Sequence, residues 1–274
     1  MQRTQKTAPL ILELCVLSRM KHKLKHLKSK CAACERPGRE MNKEHVFPRW
    51  LIFRTNTHNT GIRWGELKRL PALKATIPLC TECNKFFGKG LEEPVSKLFD
   101  EIESYQGISD IDAELLIRWL WKTEGLIWIA SNPNDKYTTA YTLRERVLRP
   151  IDNIREHLVL AVSLIEGLHP KSDDLPMGID SDPELDAIFV SGVFSKIAVM
   201  VLLDTFIHLL PEAFSYYRLA PRKETVSGAK LFYPQVGFKD DVEAVGVTLL
   251  ASKLIEKAHD DFWKQVKISN DIKW

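Results

Sequence analysis

Two Cys-x-x-Cys pairs constrain this chain more than any other feature of its sequence. The first is Cys31-Ala-Ala-Cys34 and the second is Cys80-Thr-Glu-Cys83. Each pair offers two thiolates from one tight turn, and two pairs complete the tetrahedral sulfur site that structural zinc prefers. Zinc bound there would contribute on the order of 10 kcal/mol to folding a stretch that has few apolar residues of its own. The alternative interpretation is a pair of redox dithiols or buried free cysteines.

The composition is that of an ordinary soluble protein. With 274 residues, 45% of them hydrophobic and 27% charged, the chain is long enough for one large domain or two small ones. Paired cysteines in a chain of this length favour a metal site in a reducing compartment over a disulfide framework. No apolar run reaches the length that a bilayer requires, and Glu13 interrupts the signal-like start. We therefore expect a cytoplasmic protein with no membrane partner.

Charge is unevenly distributed, and the part that carries the cysteine pairs is the basic part. Residues 1–90 hold 19 Lys or Arg against 6 Asp or Glu, whereas the rest of the chain holds 20 against 30. A regional excess of positive charge is typical of a surface that meets phosphates. The excess begins in residues 1–29, a basic N-terminal extension that is expected to be partly helical.

Downstream of residue 104 the apolar periodicity predicts an α+β unit. It opens with a strongly apolar helix that Ser109 and Asp110 can cap. Two buried strands, a run that fits either a strand or a buried helix, and an amphipathic helix follow. In chain order the five segments are 111–131, 158–165, 187–193, 197–203 and 240–266.

An acid–histidine pair lies between the two cysteine pairs. Glu44-His45 is followed by Pro48, and Asn84 comes directly after the last cysteine, near the start of a predicted helix. An imidazole titrates near neutral pH and can take a proton from water, while carboxylate and amide oxygens suit a hard ion such as Mg²⁺. Taken singly these residues are commonplace, because Asn often caps a helix and Glu-His pairs occur on many surfaces. Their order between two metal-binding knuckles is what indicates chemistry.

This order of Cys-x-x-Cys, Glu-His-x-x-Pro and Cys-x-x-Cys-Asn resembles the HNH endonuclease family in its zinc-stapled ββα-metal form. The resemblance covers residues 31–90. It implies structural Zn²⁺, His45 as the general base, and Glu44 and Asn84 as ligands of one catalytic ion, Mg²⁺ or Mn²⁺. The activity it implies is hydrolysis of phosphodiester bonds, in DNA rather than RNA.

The resemblance also implies a domain organisation. A small zinc-containing ββα-metal (HNH) module would occupy residues 30–104, and an α+β accessory domain would occupy residues 105–274. One feature departs from the family pattern, because the middle asparagine that orients the histidine is missing from residues 73–79. Asn56 and Asn59, in the preceding loop, are the candidates to replace it.

Basic residues that surround the acid–histidine pair in sequence are the predicted contacts to nucleic acid. They would neutralise phosphates without reading a sequence, although any single one of them is more simply a solvated surface charge. A catalytically inactive zinc module that binds nucleic acid is the alternative function. The predicted contacts are Arg49, Arg54, Arg63, Lys68, Arg69 and Lys85.

Overall fold

The structure is a computed structural model that describes residues 30–63, 69–132, 141–172, 174–180, 188–225 and 228–269. The predicted basic extension, residues 1–29, and Lys68 lie outside the described residues. Helices and sheets both occur along the chain, which confirms the α+β class. None of the described helices is long and apolar enough to cross a bilayer.

A hairpin followed by a helix forms around the two cysteine pairs. Strands β1 and β4 pair antiparallel, with Met41 opposite Cys80 and His45 opposite Thr76. Helix α3 begins directly after β4, and the segment between the strands adds two short helices, a small second hairpin and a 3₁₀ turn. The elements of this part are β1 (Met41–His45), α1 (Arg49–Arg54), α2 (Thr57–Thr60), β2 (Ile62–Arg63), β3 (Arg69–Leu70), the 3₁₀ turn Ala72–Lys74, β4 (Thr76–Cys80) and α3 (Thr81–Phe87).

Helix α3 continues into the rest of the chain without a loop. A π-helical segment, Gly88–Glu92, joins it to α4 (Glu93–Glu103), and β5 (Ile108–Ser109) then leads into α5 (Asp110–Ser131). The predicted cap of α5 is confirmed, because the Ser109 hydroxyl accepts from the Asp112 N–H while the Asp112 carboxylate accepts from the Ser109 N–H. Helix α5 is 22 residues long and mostly buried, and it packs against the π-helical segment that follows α3.

A mixed six-stranded sheet forms the second half of the fold. Its order is β10-β6-β9-β8-β7, and β12 runs parallel to β6. Strand β11 pairs instead with β5. After α6 (Leu143–Leu148), the elements are the 3₁₀ turn Arg155–His157, β6 (Leu158–Gly167), β7 (Met177–Asp180), β8 (Val190–Phe194), β9 (Ile197–Leu203), the 3₁₀ helix Asp204–Leu209, β10 (Ser215–Arg218), the 3₁₀ turn Arg222–Glu224, β11 (Lys230–Phe232), β12 (Val236–Asp240) and α7 (Asp241–Ser269).

The run at 197–203, which fitted a strand or a buried helix, is strand β9. Every residue of β9 is buried, because it lies between β6 and β8 in the middle of the sheet. A strand covered on both faces shows no alternation of apolar and polar residues, so periodicity could not identify it. The strands predicted at 158–165 and 187–193 are confirmed as β6 and β8, with residue 187 outside the described part.

The buried apolar residues of the hairpin region and of the sheet form one contiguous cluster. Aromatic rings link the two. Trp50 of α1 lies 5.1 Å from Phe99 and 5.9 Å from Trp119 between ring centroids, and Trp119 lies 5.2 Å from Phe194 of β8. The residues predicted to form a module and an accessory domain therefore share a hydrophobic core.

Candidate metal centre and the adjoining acid–histidine cluster

The four cysteines predicted to bind zinc come together in the structure. Their Sγ atoms all lie within 4.8 Å of one another, and those of Cys34 and Cys80 are 3.9 Å apart. Three of the four are buried, and Cys34 is partly exposed. Four sulfurs grouped in this way can hold one metal ion, and the donor set fits a tetrahedral structural zinc site.

Local backbone geometry explains how the first pair forms a knuckle. Glu35 adopts a positive φ of 56° and its N–H donates to the Cys31 carbonyl at 2.8 Å, which closes the turn. The Ala32 N–H donates to the Pro78 carbonyl at 2.9 Å, which fastens the knuckle to β4. The second pair needs no such loop, because Cys80 ends β4 and Cys83 lies in the first turn of α3.

The thiols are close enough to share protons. A hydrogen bond with the Cys83 thiol lowers the pKa of Cys31 to about 4, and the same hydrogen bond raises the pKa of Cys83. Arg144, in the first turn of α6, opposes the second effect because its Nη1 donates to the Cys83 Sγ at 3.3 Å. Its backbone N–H also donates to the Ala33 carbonyl at 2.8 Å. Arg144 thus places a positive charge beside the thiolates that a metal would bind.

Glu44 is buried and already has a cationic partner. Its side chain is 11% exposed, and its Oε1 accepts from the Lys122 Nζ at 3.3 Å. Lys122 belongs to α5, is fully buried, and also pairs with Glu92 at the end of the π-helical segment. Burial raises the pKa of Glu44, and the nearby Glu92 carboxylate adds to the rise while Lys122 opposes it. Burial alone would lower the pKa of Lys122, but the two carboxylates outweigh it and raise that pKa.

His45, the next residue, is partly buried at the end of β1. Burial lowers its pKa and the charge of Arg49 lowers it further, whereas a hydrogen bond with the Leu73 backbone raises it. The net pKa is lowered, so the imidazole is neutral near pH 7 and can accept a proton. The Leu73 backbone therefore lies within hydrogen-bonding reach of the ring, in the segment where the family pattern places an asparagine.

The two asparagines that were candidates for that role are engaged elsewhere. The Asn59 Nδ2 donates to the Asn56 Oδ1 at 2.8 Å, and the Asn56 Nδ2 donates to the Asp174 Oδ1 at 3.0 Å. They stabilise the loop around α2 and the strand β7 region instead of the histidine. A backbone carbonyl as the partner of His45 leaves no mark in the sequence, which explains why the pattern did not identify it.

Asn84 lies in the first turn of α3, one residue after Cys83, and is partly buried. Phe87, one turn further along the same helix face, has its ring centroid 5.9 Å from the Lys122 Nζ. The amide of Asn84 therefore lies one helical turn from the residue that adjoins the acid cluster. Among the described residues no hydrogen bond engages this amide.

The donor types of Glu44 and Asn84 fit Mg²⁺ or Mn²⁺. Both ions take oxygen ligands, and Mg²⁺ commonly uses one or two protein oxygens together with water and substrate phosphate. In the part of the chain that the structure describes, the four cysteines are the one group of three or more His, Cys, Asp or Glu compact enough to enclose an ion. A second ion would thus take its remaining ligands from water and substrate.

The predicted nucleic-acid contacts have different surroundings. Arg49 and Lys85 are exposed, and Arg49 lies near His45. Arg54 is committed to Asp100 and Glu103, each at 2.7 Å, so its charge is already balanced. The backbones of Arg63 and Arg69 pair across β2 and β3. Among the predicted contacts whose side chains the structure describes, Arg49 and Lys85 are the exposed ones, so they can meet phosphate.

Sequence reasoning missed three residues of this site: Lys122, Glu92 and Arg144. Each reaches its partner through tertiary packing, since Lys122 is 78 residues from Glu44 and Arg144 is 61 residues from Cys83. One local signal was present for Lys122, namely a lysine in the middle of a helix that is rich in apolar and aromatic residues. Such a charge is buried only with a partner.

Comparison of the chain with protein-family models finds no match, and comparisons with curated proteins and with solved structures find none either. The HNH resemblance therefore depends on the motif residues alone.

Proposed function

We propose that the zinc-stapled hairpin and helix α3 form the catalytic centre of an HNH-type endonuclease that hydrolyses phosphodiester bonds in DNA. One observation carries the proposal. Strand β1, which ends in the Glu44-His45 pair, is antiparallel to β4, so Glu44 lies opposite Ile77, and Asn84 lies in the helix that follows β4. Zinc bound by the four-cysteine cluster at the junction of β4 and α3 would give this arrangement a rigid base.

In the proposed reaction His45 is the general base. Its pKa is lowered by burial, so the neutral imidazole can take a proton from the attacking water at neutral pH. The Leu73 backbone lies within hydrogen-bonding reach of the ring, and the exposed Arg49 near it can bind a phosphate oxygen. A divalent ion held by Glu44 and Asn84 would stabilise charge on the scissile phosphate and the leaving oxygen.

Plasmid nicking with Mg²⁺ or Mn²⁺ tests the proposal. His45→Ala should reduce the nicking rate about 10²–10⁴-fold, the usual contribution of a positioned general base. His157→Ala is the matched control, because His157 is exposed and pairs with Asp204 at 3.4 Å, away from the hairpin. Nicking that survives His45→Ala, or that falls equally in His157→Ala, would contradict the role of His45.

The second candidate function is a zinc module that binds nucleic acid without cleaving it. A specific observation favours it, because Glu44, the proposed ligand of the catalytic ion, is already paired with the Lys122 ammonium. Duplex binding by the full chain with no nicking under Mg²⁺ or Mn²⁺ would select this function. Because both functions need the basic surface, binding alone does not separate them.

A further inference from the structure

Lys122 comes from α5, outside the stretch that carries the HNH resemblance, yet it lies against the acid of the proposed catalytic pair. Its side chain is 0% exposed, and its Nζ contacts Glu44 and Glu92. Burying an ammonium costs several kcal/mol, and an apolar side chain of similar size often serves stability equally well. A stabilising role alone therefore gives little reason for a lysine at this position.

The charges in this cluster do not balance. Glu44 and Glu92 bring two negative charges and Lys122 brings one positive charge, all within nearly buried side chains. The ammonium lies where it attracts both carboxylates and repels any further cation that approaches Glu44. At about 5 Å and an effective dielectric constant of about 20, a monovalent and a divalent cation repel each other by several kcal/mol.

We propose that Lys122 is a positioning residue that acts through Glu44. Its ammonium lies beside the Glu44 carboxylate and keeps the affinity of Glu44 for a divalent ion low while no nucleic acid is bound. This inference rests on the proposed function, and it adds regulation to the same site. In the endonuclease the divalent ion would load together with the substrate phosphate, whose charge offsets that of Lys122. The protein would then hold no reactive ion until nucleic acid is bound.

Mn²⁺ binding to the full-length, zinc-loaded protein tests this, with free Mn²⁺ followed by electron paramagnetic resonance and no nucleic acid present. Lys122→Met removes the charge and keeps a similar volume, so it should tighten Mn²⁺ binding at least about tenfold. Lys122→Arg keeps the charge and should bind Mn²⁺ like the wild type. The double variant Lys122→Met/Glu92→Gln restores the net charge of the cluster and is the matched control; its affinity should return close to that of the wild type.

Thermal unfolding gives a second measurement if Lys122→Met is destabilised. Since a ligand that binds the folded state raises its Tm, Mn²⁺ should raise the Tm of Lys122→Met more than that of the wild type. A Lys122→Met protein with wild-type or weaker Mn²⁺ affinity, or one that Mn²⁺ does not stabilise, would overturn the proposal.

The outcomes for the endonuclease and for Lys122 can be told apart. If Lys122→Met binds Mn²⁺ more tightly but the wild-type protein never nicks DNA, the nuclease proposal is wrong and the role of Lys122 is supported. If nicking depends on His45 but Lys122→Met binds Mn²⁺ like the wild type, the nuclease proposal is supported and the role of Lys122 is wrong.

Discussion

Removal of zinc from the full-length protein by a strong chelator at neutral pH should unfold the hairpin and leave the large sheet folded. Ordering the two five-residue strands β1 and β4 costs about 1–2 kcal/mol per residue in backbone entropy, or about 10–20 kcal/mol. The hairpin buries few large apolar side chains to offset this. Ile77 and Leu79 are the main ones, at 1% and 0% exposure, and each contributes about 1.5–3 kcal/mol.

Zinc binding is therefore expected to decide whether the hairpin is ordered. A structural zinc site supplies about 10–16 kcal/mol in isolated zinc-finger peptides, which is the size of the deficit. Strands β6 and β9 do not depend on it, because all seven residues of β9 are buried and paired within the sheet. We expect a local effect on the cysteine-bearing part of the chain and little effect on the sheet.

Hydrogen–deuterium exchange with mass spectrometry measures this directly. After chelation, amides of β1 and β4 should lose protection while those of β6 and β9 keep it, and zinc content should fall from one atom per chain to none. Cys15 is the one cysteine of the sequence outside the two pairs, so Cys15→Ala is the control, and it should leave both zinc content and the exchange pattern unchanged. Protection of β1 and β4 that persists without zinc, or equal loss in all four strands, would refute the reasoning.

Three further predictions concern single side chains. The nicking rate should rise with pH, with an apparent pKa below 6.5, the ordinary value for histidine. Burial and the charge of Arg49 lower the pKa of His45, and a bound cation would lower it further. A midpoint above 6.5 in the pH–rate profile would contradict this. In duplex-binding titrations Arg49→Ala should reduce the slope of log affinity against log salt concentration by about 1. Arg54→Ala should leave that slope unchanged, because Asp100 and Glu103 already pair with Arg54. Equal slopes for the two variants would show that Arg49 contacts no phosphate. Arg155→Met should lower the free energy of unfolding measured in urea by about 3–5 kcal/mol, because it removes the cationic partner of the buried Asp110. A loss below about 1 kcal/mol would mean that the hydroxyl and amide groups that donate to Asp110 are enough to stabilise its charge.

The sequence predicted those features whose cause is local. The two cysteine pairs predicted their own cluster, because two tight turns and one metal ion leave few other arrangements. Ser109 predicted the start of α5, because its hydroxyl is three residues from the acid that completes the capping box. Strand β6 was predicted from a continuous run of apolar and β-branched residues.

The features that the sequence could not predict depend on contacts between distant segments. The Leu73 backbone reaches His45 through a group that every residue possesses, so no side-chain pattern marks it. Lys122 reaches Glu44 because α5 packs against the π-helical segment, and Trp119 of the same helix belongs to the shared core. The motif therefore identified the acid but not the cation that controls its charge.

The charge balance of the Glu44 cluster also bears on the choice between the two candidate functions. One lysine and one glutamate would be enough to fasten α5 to the hairpin, and a neutral buried pair costs less than a charged group of three. The added Glu92 leaves a negative charge beside His45 and near the exposed Arg49, at the edge of the hairpin. A module that only binds nucleic acid gains nothing from negative charge at that position, since it repels phosphate. A catalytic centre gains from it, because the surplus charge favours a cation that bridges the protein and the scissile phosphate once both are present.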